Sequence, residues 1–212
     1  SGNGMRNMVG IIDYGMGNLL SVRHALESLG ADTAVLSAPK DLAGADRLVL
    51  PGVGAFAEGI RRLRETGLAA ALDEAVRGRL VPILGICLGM QLMARRGFEG
   101  GAQEGLGWFD GEVVRLPQET PAVRLPHVGW NEASPRTASV LFRELPPRPD
   151  FYFVHSYHLQ CRDAADVEAV CEYGIPFAAA VRKENVFATQ FHPEKSQDYG
   201  VKVLENFLKW RP

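Results

Sequence analysis

Apolar and polar positions change period along the chain in an ordered way. Val9, Ile11 and Ile12 form a short apolar run that ends at Asp13 and a glycine-rich turn. Leu19, Leu20, Val22, Ala25, Leu26 and Leu29 then recur at helical spacing up to Gly30, which predicts an amphipathic helix closed by a glycine. Strands are expected at residues 32–36, at 48–50, where Pro51-Gly52 cuts the run, and at 81–86. Helical period returns over residues 56–77 and again from Leu88 to about Arg95. Strand and helix alternating over short connections predict a parallel sheet covered on both faces.

The second half changes period. Strands are expected at 112–116, 151–154, 167–173, 177–182 and 186–190, with Lys183-Glu184-Asn185 as a hairpin turn between the last two. Residues 199–210 return to helical spacing, and the proline-rich stretch 117–149 shows no ordered period. The expected fold class is α/β: one domain over residues 8–212, an open, mostly parallel sheet with helices on both faces and antiparallel strands added in the second half. Residues 1–7, with Ser1-Gly2-Asn3-Gly4 before Met5, read as an expression scar and a disordered start.

Composition narrows the function classes. A length of 212 residues suits one domain with a full core. A formal charge of −2 gives no electrostatic reason to expect nucleic acid or an anionic membrane. No apolar run approaches the roughly 18 residues of a membrane span, and the start lacks a signal peptide's apolar core. Three cysteines with no CxxC spacing indicate neither a disulfide framework nor a zinc site. A cytoplasmic location is expected, with no cofactor and no metal.

The chemistry concentrates in two segments. Gly85-Ile86-Cys87-Leu88-Gly89 falls where a buried strand gives way to a helix. Such a tight turn lifts a nucleophile above the sheet, and the flanking glycines allow strand and helix to approach. The helix N-terminus favours a thiolate, and the Leu88 amide is placed to donate to an oxyanion. Against this stands the commoner fate of a core cysteine, which is to be inert. A thiolate acyl-transfer enzyme also needs a base and a group that orients it. Of the five histidines, His192 fits, because Pro193 stiffens its link to Glu194. His24 falls within the first helix as a surface residue. A zinc deaminase would need a downstream P-C-x-x-C, which is absent, and H-E-x-x-H is absent too. Pro51-Gly52-Val53-Gly54 ends the third strand at the same sheet edge as Cys87, so an amide of Gly52 or Val53 is expected to complete the oxyanion hole. Neither this segment nor residues 13–18 meets a phosphate-loop pattern.

With these segments in hand, the sequence resembles the triad (class I) glutamine amidotransferases through Gly85-Ile86-Cys87-Leu88-Gly89-Met90-Gln91 and His192-Pro193-Glu194. Within that family the narrower resemblance is to the glutaminase subunits of imidazole glycerol phosphate synthase. It rests on five strings: residues 13–19 (DYGMGNL), 50–56 (LPGVGAF), 126–131 (PHVGWN), 152–157 (YFVHSY) and 188–197 (ATQFHPEKSQ). The resemblance implies Cys87 as nucleophile, His192 as general base and acid, and Glu194 as its orienting group. It also implies glutamine binding by Gly54, Gln91, Glu99 and the backbone of His155, Ser156 and Tyr157. Asn18, Trp130, Asn131, Tyr152 and Lys195 would lie toward a partner, a cyclase subunit with a (β/α)8 barrel in a heterodimer serving histidine biosynthesis. Bland roles compete at several of these positions: loop capping for Asn18, core packing for Trp130 and Tyr152, a solvated face for Lys195 and Glu99. The rival readings are a glutaminase of the pyridoxal phosphate or anthranilate pathway, a cysteine peptidase or esterase, and a degenerate binding subunit.

Overall fold

The computed structural model of the protein describes residues 8–212; the scar assigned to residues 1–7 lies outside the described residues. In chain order the first half contains β1 (Met8–Ile12), α1 (Leu19–Ser28), β2 (Asp32–Leu36), β3 (Arg47–Leu50), α2 (Phe56–Glu65), α3 (Leu68–Asp73), β4 (Ile83–Ile86) and α4 (Leu88–Leu92). Next come β5 (Ala94–Gly97), β6 (Gln103–Glu104), β7 (Phe109–Arg115), β8 (His127–Pro135), β9 (Asp150–His155) and β10 (Tyr157–Cys161). The chain closes with β11 (Val167–Tyr173), β12 (Ile175–Lys183), β13 (Val186–Thr189) and α5 (Gln197–Lys209).

The large sheet has the order β2-β1-β3-β4-β13-β12-β11-β8-β9. Its first five strands pair in parallel and the rest antiparallel. This is the expected α/β class. In β3 alternate residues enter opposite cores, Leu48 and Leu50 facing one and Val49 the other. On one face they meet Ile60 and Leu63 of α2 and Leu68 and Leu72 of α3; on the other, Val22 and Leu26 of α1 and Val203, Leu204 and Phe207 of α5. Burial of each such side chain contributes about 1.5–3 kcal/mol of transfer free energy. Sandwiched strands must therefore be apolar on both faces, as these are.

Four differences from the sequence reading stand out. The helical run 56–77 breaks at Thr66-Gly67, where the Thr66 hydroxyl donates back to the Arg62 carbonyl, and its last turn, Glu74–Gly78, is a π-helix. The helix after Cys87 ends at Leu92, short of the expected Arg95. It stops because the carbonyls of Leu92, Met93 and Ala94 accept from the backbone of Leu106, Trp108 and Gly107 rather than continuing the helical ladder. The chain then builds a separate four-stranded sheet, β10-β7-β5-β6, which the single-sheet reading lacks. Finally, the stretch without period contains β8, which joins the large sheet between β11 and β9.

Candidate active site

Cys87 follows β4 directly, and its backbone takes φ 53° and ψ −111°. A side chain in such a region costs about 1–3 kcal/mol and persists only when its surroundings hold it. Here Cys87 N–H donates to Thr189 O (2.8 Å), Gln91 N–H to Cys87 O (3.2 Å) and Leu88 N–H to Gly52 O (3.1 Å). The glycines are needed for contact. A Cβ on Gly89 would stand 1.7 Å from the Leu50 carbonyl oxygen, and one on Gly85 would stand 2.9 Å from the Met90 nitrogen.

β13 lies beside β4 in parallel, with Thr189 opposite Ile86. The residues just past both strand ends are therefore neighbours, which brings Gln190 and the following turn to Cys87. His192 Nδ1 and Glu194 Oε1 are 2.7 Å apart, with both side chains 3% exposed. The turn is pinned from three sides. His192 N–H donates to Tyr152 O, Ser196 Oγ donates to His192 O (2.6 Å), and Tyr152 N–H donates to Ser196 Oγ (2.9 Å). Helix α5 comes so close that a Cβ on Gly200 would be 1.9 Å from the Pro193 carbonyl oxygen. His192 Nε2 is buried and makes no hydrogen bond within normal limits, although Cys87 is near enough to act on the ring. Burial alone would lower the His192 pKa; Cys87 and Glu194 outweigh it and raise it to about 9.

A pocket of about 240 Å³ opens over Cys87 and is lined by Val53, Gly54, Gln91, Glu99, Pro126, Val154, His155 and Ser156. Five of the expected glutamine-contacting residues therefore share one cavity: Gly54, Gln91, Glu99, His155 and Ser156. Tyr157 is not among its lining residues; its carbonyl accepts from Gln91 Nε2 (3.0 Å) and His155 Nδ1 (2.9 Å). Both amide protons of Gln91 are committed, the second to Gln190 Oε1 (3.1 Å), so Gln91 is left with its oxygen to offer a ligand. Glu99 is half-buried, and no cation pairs with it among the described residues. Burial raises its carboxyl pKa.

The amides expected to form an oxyanion hole are occupied in this conformation. Gly52 turns its carbonyl, not an N–H, toward Leu88 and occupies that amide, while Val53 N–H donates to Met16 O (2.5 Å). Tyr14 Oη fixes the preceding peptide by donating to Pro51 O (2.6 Å). The 52–53 peptide, freed by its flanking glycines, thus rests with its carbonyl toward the site, and the expected donors Leu88 and Val53 are both occupied. The physical reason is local: a loop carbonyl satisfies the orphan amide at the start of α4.

The expected partner-facing residues divide. Trp130 is 50% exposed and faces Tyr152 across β8 and β9, with ring centroids 6.2 Å apart. Lys195 is exposed, and its turn packs against β9 and α1. Asn18 is exposed at the start of α1 and makes no side-chain cap bond, which rules out the capping role. Asn131 is different: its Nδ2 is spent inward on His127 Nε2 (3.1 Å) and Glu172 O (3.0 Å). Sequence reading also missed the buried pair beneath it. His155 Nδ1 must donate to the Tyr157 carbonyl, so its Nε2 accepts from His127 Nδ1 at 2.9 Å. His127 in turn stacks on Tyr173, at 4.0 Å between ring centroids.

Residues 10–210 match the family described as Glutamine amidotransferase class-I. The chain belongs to the class-I glutamine amidotransferase family. "Imidazole glycerol phosphate synthase subunit HisH 1" of Campylobacter jejuni (strain RM1221) is 49% identical over 202 residues, covering 95% of this chain and 100% of the relative. "Imidazole glycerol phosphate synthase subunit HisH" of Moorella thermoacetica is 47% identical, covering 94% and 93%. Among solved structures, one titled "Structure of PurLQS from Thermotoga maritima" superposes with a TM-score of 0.76 at 18% identity, covering 96% of this chain and 98% of that one, a likeness of fold. As a member of this family the chain is a glutamine amidotransferase. No helix among the described residues is long and apolar enough to cross a membrane.

The histidines give this amidotransferase a two-sided pH dependence of stability. Burial lowers the pKa of His155 to about 3 and that of His127 to about 4, below their ordinary 6.5. Their contribution is present above 6.5 and lost as pH falls toward those values. His192, raised to about 9, contributes fully below 6.5 and loses it as pH rises through 9. The expected result is a melting temperature that peaks near neutrality and falls on both sides, with the acid limb flattened by His127→Gln. An unchanged acid limb in that variant would contradict the assignment.

Proposed function

We propose that this chain is the glutaminase subunit of an imidazole glycerol phosphate synthase, acting in the cytoplasm on glutamine and passing ammonia to a (β/α)8-barrel cyclase subunit. The observation that carries the chemistry is Cys87, at a strained turn that opens to a pocket, acting on the ring of His192, whose other nitrogen is held by Glu194. The shared name of relatives that match over nearly their whole length supports the pathway.

The reaction runs as follows. Glutamine enters with its α-ammonium against Glu99, whose unpaired carboxylate gains a partner. Cys87 sulfur attacks the side-chain amide carbon, and the oxygen takes up the negative charge. His192 donates a proton to the leaving nitrogen, ammonia departs, and a γ-glutamyl thioester remains. Water then gives its proton to His192 and attacks the thioester, releasing glutamate and the thiolate. Glu194 keeps Nδ1 of His192 protonated, so that Nε2 exchanges the protons. Ammonia protonated in bulk water is no longer a nucleophile, which favours direct transfer to the partner. Asn18, Trp130, Tyr152 and Lys195 are the residues proposed to face it, with Asn131 supporting them from below.

Loss of the base should cost more than loss of its orienting group. His192→Ala is expected to lower kcat by about 10²–10⁴-fold. Glu194→Gln should fall less, since the imidazole remains; single-turnover glutamate release ranks the two, and a reversed order would contradict these roles. The reading as a whole is tested by assaying glutamine hydrolysis with and without the cyclase and by co-elution in size exclusion. Separate elution at micromolar concentration with unchanged activity rejects the partner. Cleavage of a peptide or ester reporter in place of glutamine would favour a cysteine hydrolase of another kind.

A further inference from the structure

We propose that Gln190 is a positioning residue for the nucleophile, delivering a side-chain N–H to the Cys87 sulfur that favours its thiolate. The proposal rests on Cys87 being the nucleophile. Gln190 is fully buried and follows β13, and its Nε2 lies 3.6 Å from Cys87 Sγ.

Backbone chemistry fixes which end of this amide faces the sulfur. The Tyr157 carbonyl can only accept, so the group of Gln91 beside it is the NH2. The second proton of that NH2 points at Gln190, so the atom it meets is Oε1. The opposite end of the Gln190 amide, facing Cys87, is then its NH2. On another side of the sulfur stands Val154 O at 3.8 Å, an acceptor that suits the thiol S–H and repels a thiolate. The two protonation states therefore have different partners, and Gln190 serves the anion from a side that His192 does not occupy. Apart from the His192 ring, on which Cys87 acts, other donors to the sulfur are weak in this fold. Helix α4 is only five residues long, so its dipole is small. The Leu88 N–H is already taken by Gly52.

The experiment measures iodoacetamide alkylation of the folded chain against pH, for wild type, Gln190→Met and Gln190→Glu. Cys87→Ser supplies the background from Cys161 and Cys171, whose thiols burial pushes up to about 12. Removing a hydrogen bond to an ionised group should lower the thiolate fraction at neutral pH by about tenfold, moving the midpoint up by about one unit. Gln190→Glu, which sets an oxygen against the sulfur, should move it further. In the glutaminase assay kcat should fall by more than KM for glutamine rises, because Gln190 does not line the pocket and touches it only through Gln91. A wild-type midpoint in Gln190→Met, or a KM effect without a midpoint shift, overturns the proposal. If both variants misfold, the Gln190 side-chain amide protons of the wild type decide it: their NMR shifts should follow Cys87 ionisation, and flat shifts overturn it. Glutaminase activity retained by Cys87→Ser would instead reject the proposed nucleophile, while the alkylation midpoints still report on Gln190.

Discussion

Cys87→Ala is expected to abolish glutamine hydrolysis, with a fall on the order of 10⁶-fold, the scale seen when other acyl-transfer triads lose their nucleophile. The fold should survive. The substitution removes one sulfur atom, while the backbone bonds to Thr189, Gln91 and Gly52 that hold the turn are untouched by it. Alanine does inherit the left-handed φ, but it carries less bulk into that region than cysteine. No second cysteine can substitute, since Cys161 and Cys171 lie in β10 and β11, away from His192. The measurement is glutamate release by the purified variant, with circular dichroism and cyclase co-elution as controls. Near-wild-type release from a folded variant would remove Cys87 from the mechanism.

The second large effect concerns the 51–54 loop. The isolated chain is expected to hydrolyse glutamine poorly, and acceptor substrate bound to the cyclase is expected to raise the rate by about 10²–10³-fold. That is the value of one oxyanion donor, about 2.7–4 kcal/mol. In the conformation described above, the Gly52 carbonyl sits on Leu88 N–H and Val53 N–H is turned to Met16. Rotating the 52–53 peptide would release the first amide and re-aim the second, while Cys87, His192 and Glu194 stay in place. Ligand and glutamine must both favour the rotated state for the coupling to work. Because Tyr14 Oη anchors the neighbouring Pro51 carbonyl, Tyr14→Phe should raise the basal rate of the free chain and shrink the activation. A side chain at Gly52 is a poorer probe, since its Cβ would stand 2.1 Å from that hydroxyl. Equal rates for the free chain, the complex and the ligand-bound complex would refute the switch.

Much of this was legible in the sequence where local pattern and local structure agree. β1, α1 and β2 are repetitive, short-range elements, and their periods place them to within a residue. The elbow and the His192–Glu194 pair were legible because each is a contiguous string. What escaped was set by distant partners. Residues 94–97 suit a helix by composition but become β5 because the loop at 106–108 claims the carbonyls before them. β8 hid among prolines because its residues alternate only in part, and its strandedness comes from pairing with β9 and β11. Gln190 read as one polar residue at the end of an apolar strand; its meaning depends on Gln91, 99 positions away. The His127–His155 pair is equally silent in sequence, since nothing local links the two rings.

The parallel pairing of β4 with β13 has a consequence during synthesis. Cys87 and Gln190 are 103 positions apart, and His192 is made later still. At translation rates of about 5–20 residues per second, the cysteine exists for roughly 5–20 s before the groups that would activate it. Until β13 docks, the proposed nucleophile lacks its proposed base, and no glutamine hydrolysis is expected of the nascent chain. Glutamine in the surrounding pool is thereby safe from unfinished copies. A copy clipped ahead of residue 186 would keep Cys87 and most of its parallel sheet and is expected to be inert.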